Sequence, residues 1–435
     1  MVKKGIRSRW LVVAGILLVA LTLRTTVTVV PPLISTINHD LPLDPSVVGV
    51  LGMLPTAAFA VFGFLTPYVI KWASLERLTV IAMLVAVVGQ ICRVLVPNTG
   101  LFLLFSVIAL AGLGAGNVLL PPLVKQYFPD RIGLMTALYV TVLSAGTALP
   151  AQLAVPVADA AGWQTSLALW AGVNMLAAVP WFFMLIGSRS RGRSAPGTAA
   201  AEDAAGRAAM GVAVAAPKAP VPEAAKAQTI KIRPWRSPLA LGLTLMFGCT
   251  SLNTYSLFAW LPSILTDAGL GRSEAGSMLA LFAAVGLPLS LLVPLVASRL
   301  KNPFPMVLVF LACFIGGYLG LLLSPASGTW LWVVLAGLGP GTFPLSLLLI
   351  NHRTRTRTGA GALSGFSQGA GYALACTGPL FFGLLHQGTG SWLVPFLFLF
   401  ATLLLLVSGA FFACKPRYLE DHPFVGRESR RGSSD

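Results

Sequence analysis

Apolar runs of about twenty residues recur from end to end of this 435-residue chain, and each is long enough to cross a hydrocarbon core of ~30 Å as a helix. In lipid, only helices and closed barrels satisfy their own backbone hydrogen bonds. The runs are continuous rather than alternating with period 2, which selects helices. Composition agrees: 10% of the residues are charged, against roughly 25% in a soluble globular domain. The five cysteines, Cys92, Cys249, Cys313, Cys376 and Cys414, lie singly in apolar runs. With no CxxC pair they suggest neither a zinc site nor a disulfide framework. The expectation is an all-α, polytopic membrane protein.

Twelve spans are expected. Six lie near 10–31, 47–70, 78–96, 101–123, 133–156 and 165–187, and six near 237–262, 275–298, 304–324, 330–351, 359–386 and 391–414. The basic opening "MVKKGIRSRW" precedes an apolar run too long for a signal-peptide core, so an uncleaved first helix is expected. Residues 188–236 form the one long hydrophilic stretch, Ala/Pro-rich and poor in aromatics, which predicts a flexible linker rather than a regulatory domain. The chain then divides into a six-helix half (1–187), a linker (188–236), a second six-helix half (237–414) and a tail (415–435).

Lys and Arg sort by loop. Lys3, Lys4, Arg7, Arg9, Lys71, Arg77, Lys125, Arg131, the linker, Arg299, Lys301, Arg353, Arg355, Arg357 and the tail share one side, while the other holds Arg272. The positive-inside rule then puts both termini in the cytoplasm. The net charge of +16 is therefore topological and calls for no nucleic acid, which would need a folded basic face.

The phrase "LAGLGAG" at 110–116 returns as "LAGLGPG" at 335–341, in the fourth span of each half. Other pairs share the offset roughly, such as "PPLIST" (31–36) with "LPSILT" (261–266). Two repeated six-helix halves, with a solute bound at the midplane between them, are the mark of the major facilitator architecture. A glycine string can also cradle phosphate, but only after a strand and at a helix N-terminus open to water. Inside an apolar span, close helix packing explains it better. Pro340 replaces Ala115 in the second copy, and Pro121 and Pro122 are expected to end the fourth helix. Proline kinks beside such glycines would let the halves rock.

Three longer segments carry a family resemblance. "GNVLLPPLVKQYFPDRIGLMTALYVTVLSAGTAL" (116–149), "YSLFAWLPSILTDAGLGRSEAG" (255–276) and "LSGFSQGAGYALACTGPLFFGLLHQGTGSW" (363–392) resemble the cyanate permease and 2-nitroimidazole transporter family of the major facilitator superfamily. The resemblance implies a secondary transporter of the bacterial inner membrane. It would move a small polar or anionic solute, with H+ or a counter-solute as coupling partner, and would hold no cofactor.

Arg24 is the leading site residue. It lies two-thirds along the first span, where a guanidinium costs roughly 2.5–3.5 kcal/mol on insertion scales. The fourteen Asp and Glu all map to loops, span ends or tails, so an anionic or polar solute is its natural partner, a structural ion pair being the alternative. Its planar fork suits carboxylate-like groups. Arg93, one turn from a span end, is expected to snorkel to the headgroups. Asn117, Tyr139, Asn253, Tyr255, Ser364, Gln368 and Tyr372 complete a candidate cavity drawn from five helices, with helix–helix hydrogen bonding as the alternative for each. His386 is the candidate for proton coupling, or else a capping residue in "LLHQGTG". Lys125, Asp130 and Arg131 are candidates for a cytoplasmic gate.

Missing intramembrane carboxylates disfavour export of cationic drugs, which commonly uses them. A drug efflux pump of the same fold remains a rival, as does a membrane sensor that binds solute without moving it. No metal-ligand cluster or nucleophile–base constellation appears in the helices, so an enzyme is not expected.

Overall fold

The computed structural model describes residues 6–69, 73–128, 131–192 and 234–421. Among these there are helices and no strands. We number the long helices α1 to α12, counting two broken ones as single spans. The first, α1, runs Ile6–Thr22 and continues in pieces through Thr25–Val29, Pro31–Leu33 and Ile34–Ile37. Then come α2 (Pro45–Val69), α3 (Leu75–Leu95), α4 (Thr99–Tyr127), α5 (Ile132–Ala161) and α6 (Trp163–Gly192). The second set is α7 (Pro238–Asp267), α8 (Arg272–Ala297), α9 (Phe304–Leu323), α10 (Thr329–Leu338, Gly339–Gly341 and Thr342–His352), α11 (Arg357–Thr389) and α12 (Leu393–Ala413). Within the long hydrophilic stretch, residues 193–233 lie outside the described residues, as does 422–435 of the tail.

Ten of these segments are long and apolar enough to cross a membrane. The two outside that set, α7 and α11, are long but carry more polar side chains. Burial reconciles this for α7, most of whose residues, from Leu239 to Leu265, are shielded from the surroundings. A helix enclosed by other helices need not be as greasy as one facing lipid.

Helix ends follow local chemistry. The Asn98 side chain accepts the Leu101 N–H at 2.8 Å to start α4, and Thr356 accepts from Gly359 at 2.9 Å to start α11. Pro121 and Pro122 do not end α4, which continues to Tyr127. The two copies of the glycine phrase differ in just this respect. In α4 the phrase is continuous helix, whereas Pro340 sits in a 3-10 turn, Gly339–Gly341, that divides α10. Pro removes a backbone donor and weakens the ladder; α4 absorbs that loss at Pro121 and Pro122, whereas α10 divides at Pro340. Both copies use their glycines for close packing: Gly112 against the backbone of Ala82 and Ala86 in α3, Gly339 against the ring of Phe314 in α9.

Two ends of the molecule are thereby defined. One, the basic end, carries Glu76 bonded by Tyr127 and Gln126, and Arg353 donating to the Cys414 carbonyl at 2.7 Å. There Glu420 accepts from the Arg355 and Thr356 N–H groups and the Thr356 hydroxyl, each at 3.0 Å, at the start of α11. At the opposite end Trp163 donates to Asp40 at 2.7 Å and Trp392 to Asp267 at 3.2 Å.

Candidate functional site

A cavity of about 380 Å³ opens between the first and second sets of helices. It runs from Arg24 and Tyr255 at mid-depth to Thr136, Pro294 and Asn351 toward the basic end. Helices α1, α5, α7, α8 and α10 supply its walls.

Arg24 sits where α1 is interrupted, between Thr22 and Thr25, with φ −114° and ψ 0°. Its Nη1 donates to the Tyr255 hydroxyl at 2.5 Å, tying the two halves of the chain together. The guanidinium also lies 5.4 Å from the Tyr255 ring centroid and 5.7 Å from that of Phe59, within cation–π range. Its Nε is buried with no protein partner, and so is the hydroxyl of Ser251, another wall residue. Among the described residues lining the cavity Arg24 is the one charged side chain, with no carboxylate and no histidine. Unmatched donors in a low-dielectric setting favour a polar or negative occupant.

The expected residues sort into three groups. Arg24 and Tyr255 meet in the cavity. Tyr372 lies just behind it, its ring 5.5 Å from Phe59 and 5.0 Å from Phe247. Asn253 faces away: its amide donates to the Cys249 carbonyl (2.7 Å) and Thr402 (2.8 Å) and accepts from Tyr318 (2.9 Å), joining α7, α9 and α12. Gln368 donates to Ser364 at 2.6 Å, so these two satisfy each other along α11. Asn117 and Tyr139 are half-buried outside the cavity wall. His386 stacks on Trp392 with centroids 3.7 Å apart, and its carbonyl accepts the Gly390 N–H that closes α11. Of the gate residues, Lys125 and Arg131 are exposed, and Asp130 lies outside the described residues.

Arg93 corrects the snorkelling expectation. It is 0% exposed, held inside the bundle rather than at the headgroups.

Several wall residues escaped the sequence reading. Thr136, Val140, Ser144 and Thr147 form one stripe of α5, and Ser290 lies on α8. Their spacing of three and four was visible, but small hydroxyls in apolar helices usually bond their own backbone. They do so here, Ser144 to the Val140 carbonyl (3.1 Å) and Thr147 to that of Leu143 (2.8 Å). Having donated, these hydroxyls keep acceptor capacity for an occupant.

Opposite the cavity mouth the halves are sealed. A Cβ on Gly52 of α2 would lie 2.7 Å from the Cβ atoms of both Ala259 (α7) and Pro379 (α11), and one on Gly276 of α8 would lie 3.0 Å from the Ala151 carbonyl (α5). Arg272 adds a clasp, donating to Thr36 at 2.6 Å and to Asp159 at 3.3 Å.

Residues 16–376 match the Major Facilitator Superfamily. The chain belongs to that family. It is 34% identical over 394 residues to the 2-nitroimidazole transporter of Escherichia coli (strain K12), covering 89% of this chain and 91% of the relative. Identity is 32% over 424 residues to the Uncharacterized transporter YycB of Bacillus subtilis (strain 168), with 96% of each chain covered. It is 26% over 386 residues to the cyanate transport protein CynX of E. coli (strain K12), covering 88% and 92%. A bacterial homologue of the human lysosomal transporter Spinster, solved in an inward-facing, occupied conformation, superposes with a TM-score of 0.70 at 14% identity, over 97% of this chain and 99% of that one. The fold is thus the twelve-helix major facilitator arrangement of two six-helix repeats, and the family is one of transporters.

Proposed function

We propose that this member of the superfamily is a secondary transporter that moves a small polar or anionic solute by alternating access, with Arg24 as the principal contact. One observation carries the reading: among the described residues lining a cavity between the halves, a single guanidinium with unmatched donor capacity stands at mid-depth and no carboxylate joins it. Charge-assisted hydrogen bonds to such a group are about twice as strong as neutral ones. The Tyr255 hydroxyl positions the guanidinium, and Ser251 and Thr254 supply further polar contacts.

Size narrows the solute. A cavity of about 380 Å³ falls within the range of sites for drug-sized small molecules. Phe258 and Phe343 line it and suit a planar ring. Together with the named relatives, this favours a small nitroaromatic or carboxylated ring over a triatomic anion. Under this reading the basic end faces the cytoplasm of a bacterial inner membrane, as the positive-inside rule requires, and the present conformation is open inward. Proton coupling, where it operates, falls to groups outside the cavity wall, His386 being the candidate.

The test is ligand-induced thermal stabilisation of the purified protein across nitroimidazoles, aromatic carboxylates, cyanate and cationic drugs, followed by uptake into proteoliposomes. A nitroaromatic or anion should stabilise the native protein and be transported, and Arg24→Ala should weaken its binding at least tenfold. Equal stabilisation of both proteins by a cationic drug would overturn the assignment and favour efflux. Binding without transport would favour the sensor.

A further inference from the structure

A second buried arginine has no role in the cavity. The Arg93 side chain, near the end of α3, is fully enclosed, and its Nε, Nη1 and Nη2 all lack a protein partner. It lines a separate cavity of about 30 Å³ on the other side of Tyr255 and Phe258, two residues that wall both spaces. The Ser106 hydroxyl of α4 lines the same space, is 1% exposed and is likewise unpartnered. Thr26 of α1 lines it too. Its oxygen already accepts from Gln90 at 2.8 Å, and Gln90 accepts from Asn174 at 3.0 Å, which leaves the Thr26 proton free to donate. No carboxylate is among the described residues around this space.

A buried guanidinium with neither counter-ion nor hydrogen-bond acceptor carries a desolvation penalty of several kcal/mol. The Ser106 and Thr26 hydroxyls around it can each donate, and no side chain there brings a negative charge. One probe sphere of free volume, about 10–15 Å³, suffices for a water molecule, so this space holds one small ion or about two waters. It is far too small for the ring-sized solute of the main cavity.

We infer that Arg93, Ser106 and Thr26 form a second, structurally separate site for a small monovalent inorganic anion, of halide to triatomic size. The ion neutralises the guanidinium and accepts from both hydroxyls. This site depends on no assumption about the solute carried through the Arg24 cavity.

The probe is bromide, titrated against gluconate at constant ionic strength with the full-length protein in detergent, in chloride-free buffer. Bromide should raise the melting temperature saturably, and crystals grown in bromide should show anomalous scattering between Arg93 and Ser106. Arg24→Ala should keep both signals. Arg93→Gln should abolish the saturable stabilisation, and Ser106→Ala, the milder change if Arg93→Gln fails to fold, should weaken bromide at least threefold. Absence of saturable stabilisation, an anomalous peak at Arg24 instead, or water alone beside Arg93 would each overturn the assignment. So would equal bromide response in wild type and Ser106→Ala.

Discussion

At one end of this transporter the halves touch through glycine backbone and an Arg272 clasp. At the other they stand apart around a cavity that reaches Asn351. The α5–α8 pair takes part at both ends, so along that pair the difference lies in how closely the helices approach rather than in topology. A Cβ on Gly276 of α8 would press on the Ala151 carbonyl of α5 at 3.0 Å, whereas one on Gly286, ten residues on in the same helix, would meet nothing within 4 Å. A helix pair that fits tightly at one end and loosely at the other is poised to pivot.

The largest effect should come from wedging the sealed end. Gly52→Leu forces a side chain between α2, α7 and α11, and overpacking of this kind costs about 1–3 kcal/mol. Distances between spin labels across that end should lengthen, with the ratio of open to sealed states there rising roughly 5- to 150-fold. Gly286→Ala, a small addition at the loose end, should leave those distances unchanged. If both variants behave alike, the two ends do not differ in the way described.

Tyr255→Phe comes next. It deletes the acceptor of the Arg24 bond that crosses the halves, and a hydrogen bond to a charged group contributes about 1.5–3 kcal/mol. Solute affinity should fall by about tenfold through loss of positioning, less than for Arg24→Ala, as read by thermal-shift titration.

The clasp itself is exposed, with side-chain accessibilities of 45% and 55% for Arg272 and Asp159. Such pairs contribute about 0.2–1 kcal/mol. Arg272→Ala should therefore shift the sealed-to-open ratio no more than about fivefold, and high salt should mimic it. The glycine seal, rather than the ion pair, then dominates closure.

The smallest effect belongs to the basic end. Burial would push the Glu420 carboxyl up, but N–H groups including those of Thr356 and Arg355, with the Thr356 hydroxyl, outweigh it and hold the carboxyl below its ordinary value. A carboxyl depressed in the folded state stabilises fully above its unfolded pKa, about 4.3, and loses that contribution as pH falls through the folded value. Glu420→Gln should lower the melting temperature slightly at pH 7 and make no difference under strongly acid conditions. A constant gap at all pH values would sink the idea.

Much of this was legible in the amino-acid order. Run length locates all twelve helices, with ends up to about six residues out, because the membrane sets a length that any crossing helix must meet. By apolarity alone, ten of them qualify. Arg24 stood out because its cost is intrinsic to its depth. Arg93 misled for the complementary reason: its place near a helix end says nothing of how its neighbours enclose it, and α3 is packed against α4 and α6. Asn253 and Tyr255 are two apart in one helix, yet one knots the second half together and the other meets Arg24. Only the rotation of α7 within the bundle separates those roles, and rotation is set by packing across both halves. Pro340 was legible as an interruption, but not that the broken turn would border the cavity.

The lone positive charge in the main cavity has an electrical consequence. With a monoanion bound, the cavity region is neutral, and a change of conformation carries no net charge through the membrane field. Emptied, it carries the bare guanidinium. A potential of 100 mV acts on one elementary charge with about 2.3 kcal/mol across the full membrane. Voltage would therefore bear on the return of the unloaded carrier and leave the loaded crossing almost untouched.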